Sequence, residues 1–487
     1  MKTFKFIVII ILICFPVFSH MESLPIKLFD ESRLAINAYE MSKTGNLMVP
    51  TYEYQPDLWN TKPPLMIWLQ VLGIKLFGTG ELPIRLPSAI AALLTCLFIL
   101  FFSIRYLKDF WFGAISVIVL ISSVGYIQVH AVRTGDYDSL LTLFTTLYSL
   151  LFFLYLESGQ VKFLYYTFFA IVFAVLSKGI AGMIYLPVLL FLSIIKHKTG
   201  LILKSKHFYL GLSIFIFIIG GYYICREILN PGYLNAVWKN EIGGRYITAI
   251  EGHKQSFWFY YRMLVDHHFG YWFILIPCGI IVGYFHKVDK IRKLALYSTV
   301  LVLFYFLVIS LGQTKLEWYN VPQYPFLSIL VATFLHFIFT FIRDSKFFYG
   351  ILKINVLPYL FLFIVSIKPL SETLYRTISP RVFPWEVNEY RITYVLKDAL
   401  KGKYNLNGYK LLNDGYAANN LFYIRLLNDK GVDIQIRFDW KNFQENDKVI
   451  AYQDHVRDYL TSNYSVEVIQ SFYNVFYYKI NGKLNNE

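Results

Sequence analysis

Apolar runs long enough to cross a lipid bilayer recur along this chain, and they constrain its fold more tightly than any other feature. A spanning helix needs about 20 predominantly apolar residues. Such runs stand at residues 4–18, 86–104, 110–128, 139–156, 163–176, 180–195, 208–224, 271–285, 294–311, 324–341 and 348–367. The reading is a polytopic α-helical membrane protein with about 11 spans. With 56% hydrophobic and 16% charged residues, the chain is too apolar for a soluble protein of this length. Residues 65–77 are apolar as well, but Pro63, Pro64 and Lys75 suit a shallow interfacial helix. The first run follows Lys2 and Lys5 and ends in Val17-Phe18-Ser19-His20, which lacks a small-x-small cleavage pattern. It is expected to remain as the first span.

Threading these spans with the amino terminus inside places Lys and Arg in excess over acids in the inner loops. Among them are Arg105, Lys108, Lys196, Lys204, Lys287, Lys290, Arg292, Lys293 and Arg343. That asymmetry is what the positive-inside rule requires. The net charge of +14 therefore reports topology and anionic lipid headgroups rather than a nucleic-acid partner. Cys14, Cys96, Cys225 and Cys278 all lie within or beside apolar runs, so packing rather than a disulfide framework is expected. Two outer loops are long, residues 19–85 and 226–270. Asp30 to Met41 reads as a helix stopped by Gly45-Asn46.

Past residue 370 the composition turns polar. Strand-like runs stand at 410–412, 432–438, 448–452, 464–472 and 475–480, and helical ones at 387–400, 417–428 and 454–462. Residues 1–370 are thus expected to form the membrane domain, and 371–487 a small external α/β domain.

The charges at the outer ends of the spans carry the chemistry. Asp30, Glu31 and Arg33 follow the first span, Arg133, Asp136 and Asp138 the third, Lys178 the fifth, and Lys315, Glu317 and Tyr319 the ninth. An even number of spans separates each set from the next, so all share one side. Charges flank spans simply because they cannot enter them, which suffices for any one residue. Here, however, bases stand against the positive-inside trend and alternate with acids. That pattern holds an anion and deprotonates a group beside it. Lys62, Lys178, Arg245 and Lys315, with Tyr319 as a neutral donor, suit a lipid phosphate. Pro63 and Pro64 present Lys62 from a rigid turn. Asp30 and Asp138 suit a general base, with Glu31 and Asp136 beside them. His267 and His268 are adjacent and face different ways, and His253 is distant, so no metal site is expected.

In order, Asp30-Glu31-x-Arg33, Lys62-Pro63-Pro64-Leu65, Arg85-Leu86-Pro87-Ser88, Arg133-Thr134-Gly135-Asp136-Tyr137-Asp138-Ser139, Leu176-Ser177-Lys178-Gly179 and Thr314-Lys315-Leu316-x-Trp318-Tyr319 resemble the membrane glycosyltransferases of the GT-C fold. The likeness is to the bacterial aminoarabinose lipid A transferases and the protein O-mannosyltransferases. It implies an inverting sugar transfer from a polyprenyl-phosphate donor, without a soluble cofactor, to a lipid A, protein or envelope-glycan acceptor. It also implies an integral protein of the bacterial inner membrane with its site facing the periplasm. By position, Asp30 is the base or orients the acceptor, with Asp138 as partner. Lys62, Arg245 and Tyr319 hold the lipid phosphate, while Lys178 and Arg33 help neutralise the site. Relatives often carry Glu where this chain has Thr61. Either Asp136 or Asp138 matches the family's single aspartate, and the following Ser-Leu-Leu favours Asp138. A transporter or flippase of lipid-linked glycans is the alternative, although such proteins place ionisable groups near the bilayer midplane.

Overall fold

The computed structural model describes residues 2–247, 252–345, 356–380, 382–384 and 386–484. Among them, seven helices are long and apolar enough to cross a membrane: Glu81–Leu107, Asp138–Ser158, Val161–Met183, Lys206–Leu229, Asp289–Leu311, Glu317–Asp344 and Leu357–Ile378. The bent pair Phe259–His268 and Gly270–Tyr284, which turns through 107°, raises the number to eight. The expected 11 spans are not reached on length. The runs at 4–18, 110–128 and 180–195 form the shorter apolar helices Thr3–Phe18, Phe110–Ile121 and Leu186–Ile195. The last run, 348–367, lies partly outside the described residues.

Local chemistry explains where two of the shorter helices stop or start. The hydroxyls of Ser122 and Ser123 turn back onto the carbonyls of Ile118 and Val119 at 2.6 Å each. Such back-bonding competes with helix continuation. Residues 122–137 then fold as turns rather than as the rest of a span. At the other break, Gly179 takes φ = 58° and starts the 3-10 turn Gly179–Met183 before Leu186–Ile195. At the opposite end of the bundle, Asp109 caps Phe110–Ile121 by accepting from Trp111 and Phe112 N–H, and also meets His336 Nε2 at 2.9 Å. His336 is thus a packing residue paired across helices. Lys206–Leu229 leaves Ile216, Phe217 and Ile228 58–81% exposed, which in a lipid environment is an acyl-facing side.

The long loop between the first two apolar runs is ordered. Asp30–Thr44 is a helix closed by Gly45 in the left-handed conformation (φ = 72°), and Leu65–Phe77 is the short apolar helix expected after Pro64.

Beyond Ile378 the chain forms an α/β unit. Its five-stranded sheet runs Ile434–Arg437, Tyr409–Leu412, Lys448–Ala451, Val475–Lys483, Tyr464–Phe472 across its width. The first three strands are parallel and the last two are added antiparallel. Helices Glu386–Leu400, Ala418–Asp429 and Asp454–Asn463 complete it, close to the periodicity reading. One apolar core runs continuously from the bundle into this unit, through Ile392, Leu396, Leu411, Phe422 and Ile434. The other side of the sheet has a small core of its own around Leu412, Val449, Val456 and Leu460.

Polar contacts reinforce that junction. The Tyr423 hydroxyl donates to Glu81 at 2.7 Å and accepts from the Ile26 N–H at 2.9 Å. Lys397 pairs with Glu81 at 2.7 Å, and Lys27 pairs with Glu386. The α/β unit therefore grips the segment that leads directly to Asp30.

Candidate active site

Asp30 begins its helix, where the positive end of the helix dipole favours an anion. Phe29 before it has φ = 73°, a left-handed backbone that bulky residues rarely adopt. The chain turns sharply there and leaves the Asp30 side chain 47% exposed. Asp30 lines a cavity of about 1120 Å³ between the bundle and the α/β unit.

Glu31 points the other way and is fully buried. Its carboxylate accepts from Arg85 Nε (2.6 Å) and Nη2 (2.9 Å), from the Lys27 N–H (2.7 Å) and from the Gly135 N–H (2.9 Å). Glu31 stands with the acids singled out in the sequence, but these donors engage both of its oxygens, and the residue ties the first loop to the Arg85 helix and to the Asp136 loop. Gly135 is required at its position, since a Cβ there would stand 2.5 Å from the Ile84 carbonyl oxygen.

Asp136 is 2% exposed and engages His130, whose Nδ1 lies 2.7 Å from its carboxylate. The same nitrogen is 3.9 Å from Asp30. His130 itself has φ = 63°, and its ring stacks on Trp318 at 3.7 Å between centroids. Burial opposes a charge on His130, but the hydrogen bond and charge of Asp136, with Asp30 beyond, outweigh it and hold its pKa above the ordinary value. Burial likewise disfavours the Asp136 anion, yet the bond to His130 keeps its pKa below the usual range. The carboxylate is thus ionised and Nδ1 must be the donor.

Asp138 starts the helix Asp138–Ser158, and Lys178 Nζ reaches both of its oxygens at 2.6 Å. The Lys178 ammonium lies 5.4 Å from the Tyr319 ring centre. Of the two aspartates in the loop, Asp138 is committed to a lysine and Asp136 to a histidine. Lys62 pairs with Glu241, and Thr61 donates to the same carboxylate at 2.7 Å. A carboxylate does stand beside Lys62, but it is supplied from a different loop rather than by position 61. Arg33 makes a two-pronged contact with Asp57 (2.8 and 2.7 Å) and covers the Tyr52 ring at 4.0 Å. Lys315 is buried on the cavity wall, where its ammonium meets the Gly312 carbonyl. Burial and nearby Lys254 lower its pKa. Arg245 lies on the described segment Trp238–Ile247, but its side chain falls outside the described residues.

Of the residues singled out in the sequence, Asp30, Arg33 and Lys315 line the cavity. The Asp138–Lys178–Tyr319 and Lys62–Glu241 groups do not line it. Lys27, Arg85, Arg133 and Arg376 add further positive charge to its wall, against the acids Asp30 and Glu317. Five of the chain's ten histidines, His20, His130, His253, His267 and His268, also face it. A lining of that sign attracts an anion. Asp30, His130 and Asp136 bring one ligand-type atom each within 4.8 Å of one another. In this trio His130 Nδ1 is engaged by Asp136 at 2.7 Å.

His130, Asp57 and Glu241 escape sequence reading, and Trp318 enters it only as part of the Thr314–Tyr319 motif, without a role. The run through residue 128 looks like a span, which hides the turn that carries His130. The partners of Arg33 and Lys62 lie far along the chain or in an ordinary polar loop.

A family model described as dolichyl-phosphate-mannose-protein mannosyltransferase matches residues 61–223. An uncharacterised protein of Aquifex aeolicus is 25% identical over 79% of this chain and 72% of its own length. The undecaprenyl phosphate-alpha-4-amino-4-deoxy-L-arabinose arabinosyl transferase 1 of Proteus mirabilis is 27% identical over 63% of the chain. The match spans 55% of that relative's length, and the same share of its Aeromonas hydrophila counterpart. The crystal structure of ArnT from Cupriavidus metallidurans bound to undecaprenyl phosphate superposes with a TM-score of 0.73, covering 98% of both chains at 16% identity. Its apo state gives 0.71. The chain thus has the GT-C fold of these structures, with a C-terminal α/β unit, and it resembles the polyprenyl-phosphate-sugar glycosyltransferases in sequence.

Proposed function

We propose that this integral membrane protein is an inverting glycosyltransferase that uses a polyprenyl-phosphate sugar. The observation that carries the reading is the half-exposed Asp30 carboxylate on the wall of a positively lined cavity. The acceptor oxygen attacks the anomeric carbon on the face opposite the phosphate, and the bond from that carbon to the phosphate oxygen breaks. Polyprenyl phosphate leaves with the electron pair. Preorganised cations stabilise the charge as it develops. Lys315 and Arg33 on the cavity wall are assigned to that anion, together with Lys62, Lys178, Arg245 and Tyr319, which the resemblance implies. Asp30 is the base or the carboxylate that orients the acceptor, and Asp138 holds Lys178 in place.

The acceptor is a lipid A, protein or envelope-glycan group. The setting is the bacterial inner membrane with the cavity on the periplasmic side, which agrees with the outer placement of these charges under the positive-inside rule. The fold likeness to a structure bound to undecaprenyl phosphate supports that class of donor.

The test is release of free polyprenyl phosphate from polyprenyl-phosphate sugars by the purified protein with crude envelope acceptors. Wild type is expected to release it, and Asp30→Asn to lose about 10²–10⁴ in rate while expressing normally. Transport of the intact lipid-linked sugar across vesicles without bond cleavage would replace this reading with that of a flippase.

A further inference from the structure

We infer that His130, held by Asp136, takes the proton from the acceptor, and that Asp30 orients the acceptor beside it. This rests on the transferase reading and assigns a role within the same site.

Geometry is the main support. His130 lines the cavity, and its Nδ1 is engaged by Asp136 at 2.7 Å. Because the buried carboxylate can only accept, the neutral ring carries its proton on Nδ1 and its lone pair on Nε2. Among the described residues, Nε2 has no hydrogen-bond or ion-pair partner. Nor is it a sealed polar atom that lacks a partner. Its lone pair therefore opens toward the cavity that Asp30 lines. An acid that fixes the tautomer and plane of a histidine, whose other nitrogen faces the reacting group, is the arrangement of a general base and its orienting carboxylate.

Three further features hold this ring. Trp318 stacks on it at 3.7 Å, 15° from parallel, which sets the plane and favours the cation formed when the proton arrives. The His130 N–H donates to Thr134 Oγ1 at 2.7 Å, tightening the turn. The left-handed backbone at φ = 63° is a strained conformation of the kind kept at functional positions. An imidazole is also matched to proton removal near neutral pH, whereas an ordinary carboxylate is not.

The step balances without an added reactant. The acceptor's O–H proton moves to Nε2, its oxygen bonds the anomeric carbon, and polyprenyl phosphate departs with the electrons of the broken bond. The imidazolium, paired with Asp136 and near Asp30, then gives its proton to water. The groups that set its titration are Asp136 on its own loop, and Asp30 and Lys27 from the first loop. Glu317, beside Trp318, faces the same cavity.

His130→Asn is the decisive variant. Asparagine tolerates left-handed backbone and offers Asp136 an amide N–H where Nδ1 stood, but it has no base. The wild-type kcat/KM for transfer is expected to rise with pH through a limb above 6.5, the ordinary histidine value, because the base must be unprotonated. In His130→Asn, transfer should fall about 10²–10⁴-fold and the residual rate should lack that limb. Stabilisation of the protein by undecaprenyl phosphate in thermal unfolding should be unchanged. Transfer at the wild-type rate, a residual rate that keeps the limb, or loss of undecaprenyl phosphate binding would each overturn the inference. Absence of polyprenyl phosphate release from wild type itself would instead overturn the transferase reading beneath it.

Discussion

Asp30 and Glu31 are neighbours of the same chemical type, yet their surroundings assign them opposite work. One is half exposed on a cavity wall, and the other is sealed against Arg85, which is itself 3% exposed. Removing one partner of such a buried pair strands the other charge. Glu31→Gln should therefore cost about 3–5 kcal/mol of stability, read as a lowered Tm in detergent. Asp30→Asn should leave Tm near wild type and remove transfer. A Glu31→Gln variant that is fully stable but inactive would return Glu31 to the chemistry. The types of residue at the site were legible in the sequence, because charges beside apolar runs stand out. Their pairing was not. Asp57 and Glu241 look like ordinary loop acids until the fold sets them against Arg33 and Lys62.

At the scale of elements, the loop of residues 122–137 is the part where periodicity misleads most. Its first residues continue an apolar run, so a span to residue 128 is the natural reading. The structure ends the helix at Ile121 and uses the freed chain to deliver His130 and Asp136. Gly135 lets this loop lie against the Ile84 carbonyl while its N–H reaches Glu31. Gly135→Ala should displace the loop, because backbone rather than a flexible side chain lies 2.5 Å from the added atom. Loss of transfer with the helix content intact by circular dichroism is expected, and full activity would show that the loop yields freely. The strands and helices of the C-terminal unit, by contrast, were readable to within a few residues. Alternating or amphipathic patterns there answer to one buried face each.

Considered whole, the molecule joins a lipid-exposed bundle to an α/β unit through a shared core, and the cavity lies where they meet. Tyr423 stands at that junction, bonded to Glu81 and to the Ile26 N–H. Tyr423→Phe should lower stability by about 2 kcal/mol, since one of the lost bonds is to a charged group. It should also raise proteolysis between bundle and α/β unit, and an unchanged cleavage pattern would show that the apolar core alone holds them. Sequence by itself determined the membrane class, the order of helices, the polar C-terminal unit and the set of charges at the ends of the apolar runs. All of these follow from local hydropathy and spacing, which act along the chain. Tertiary structure alone decided which apolar runs stop short of a span and which acid meets which base. It also placed His130 between Asp136 and Asp30. Those outcomes depend on contacts between residues distant in sequence and on left-handed turns, and neither leaves a periodic trace in the chain.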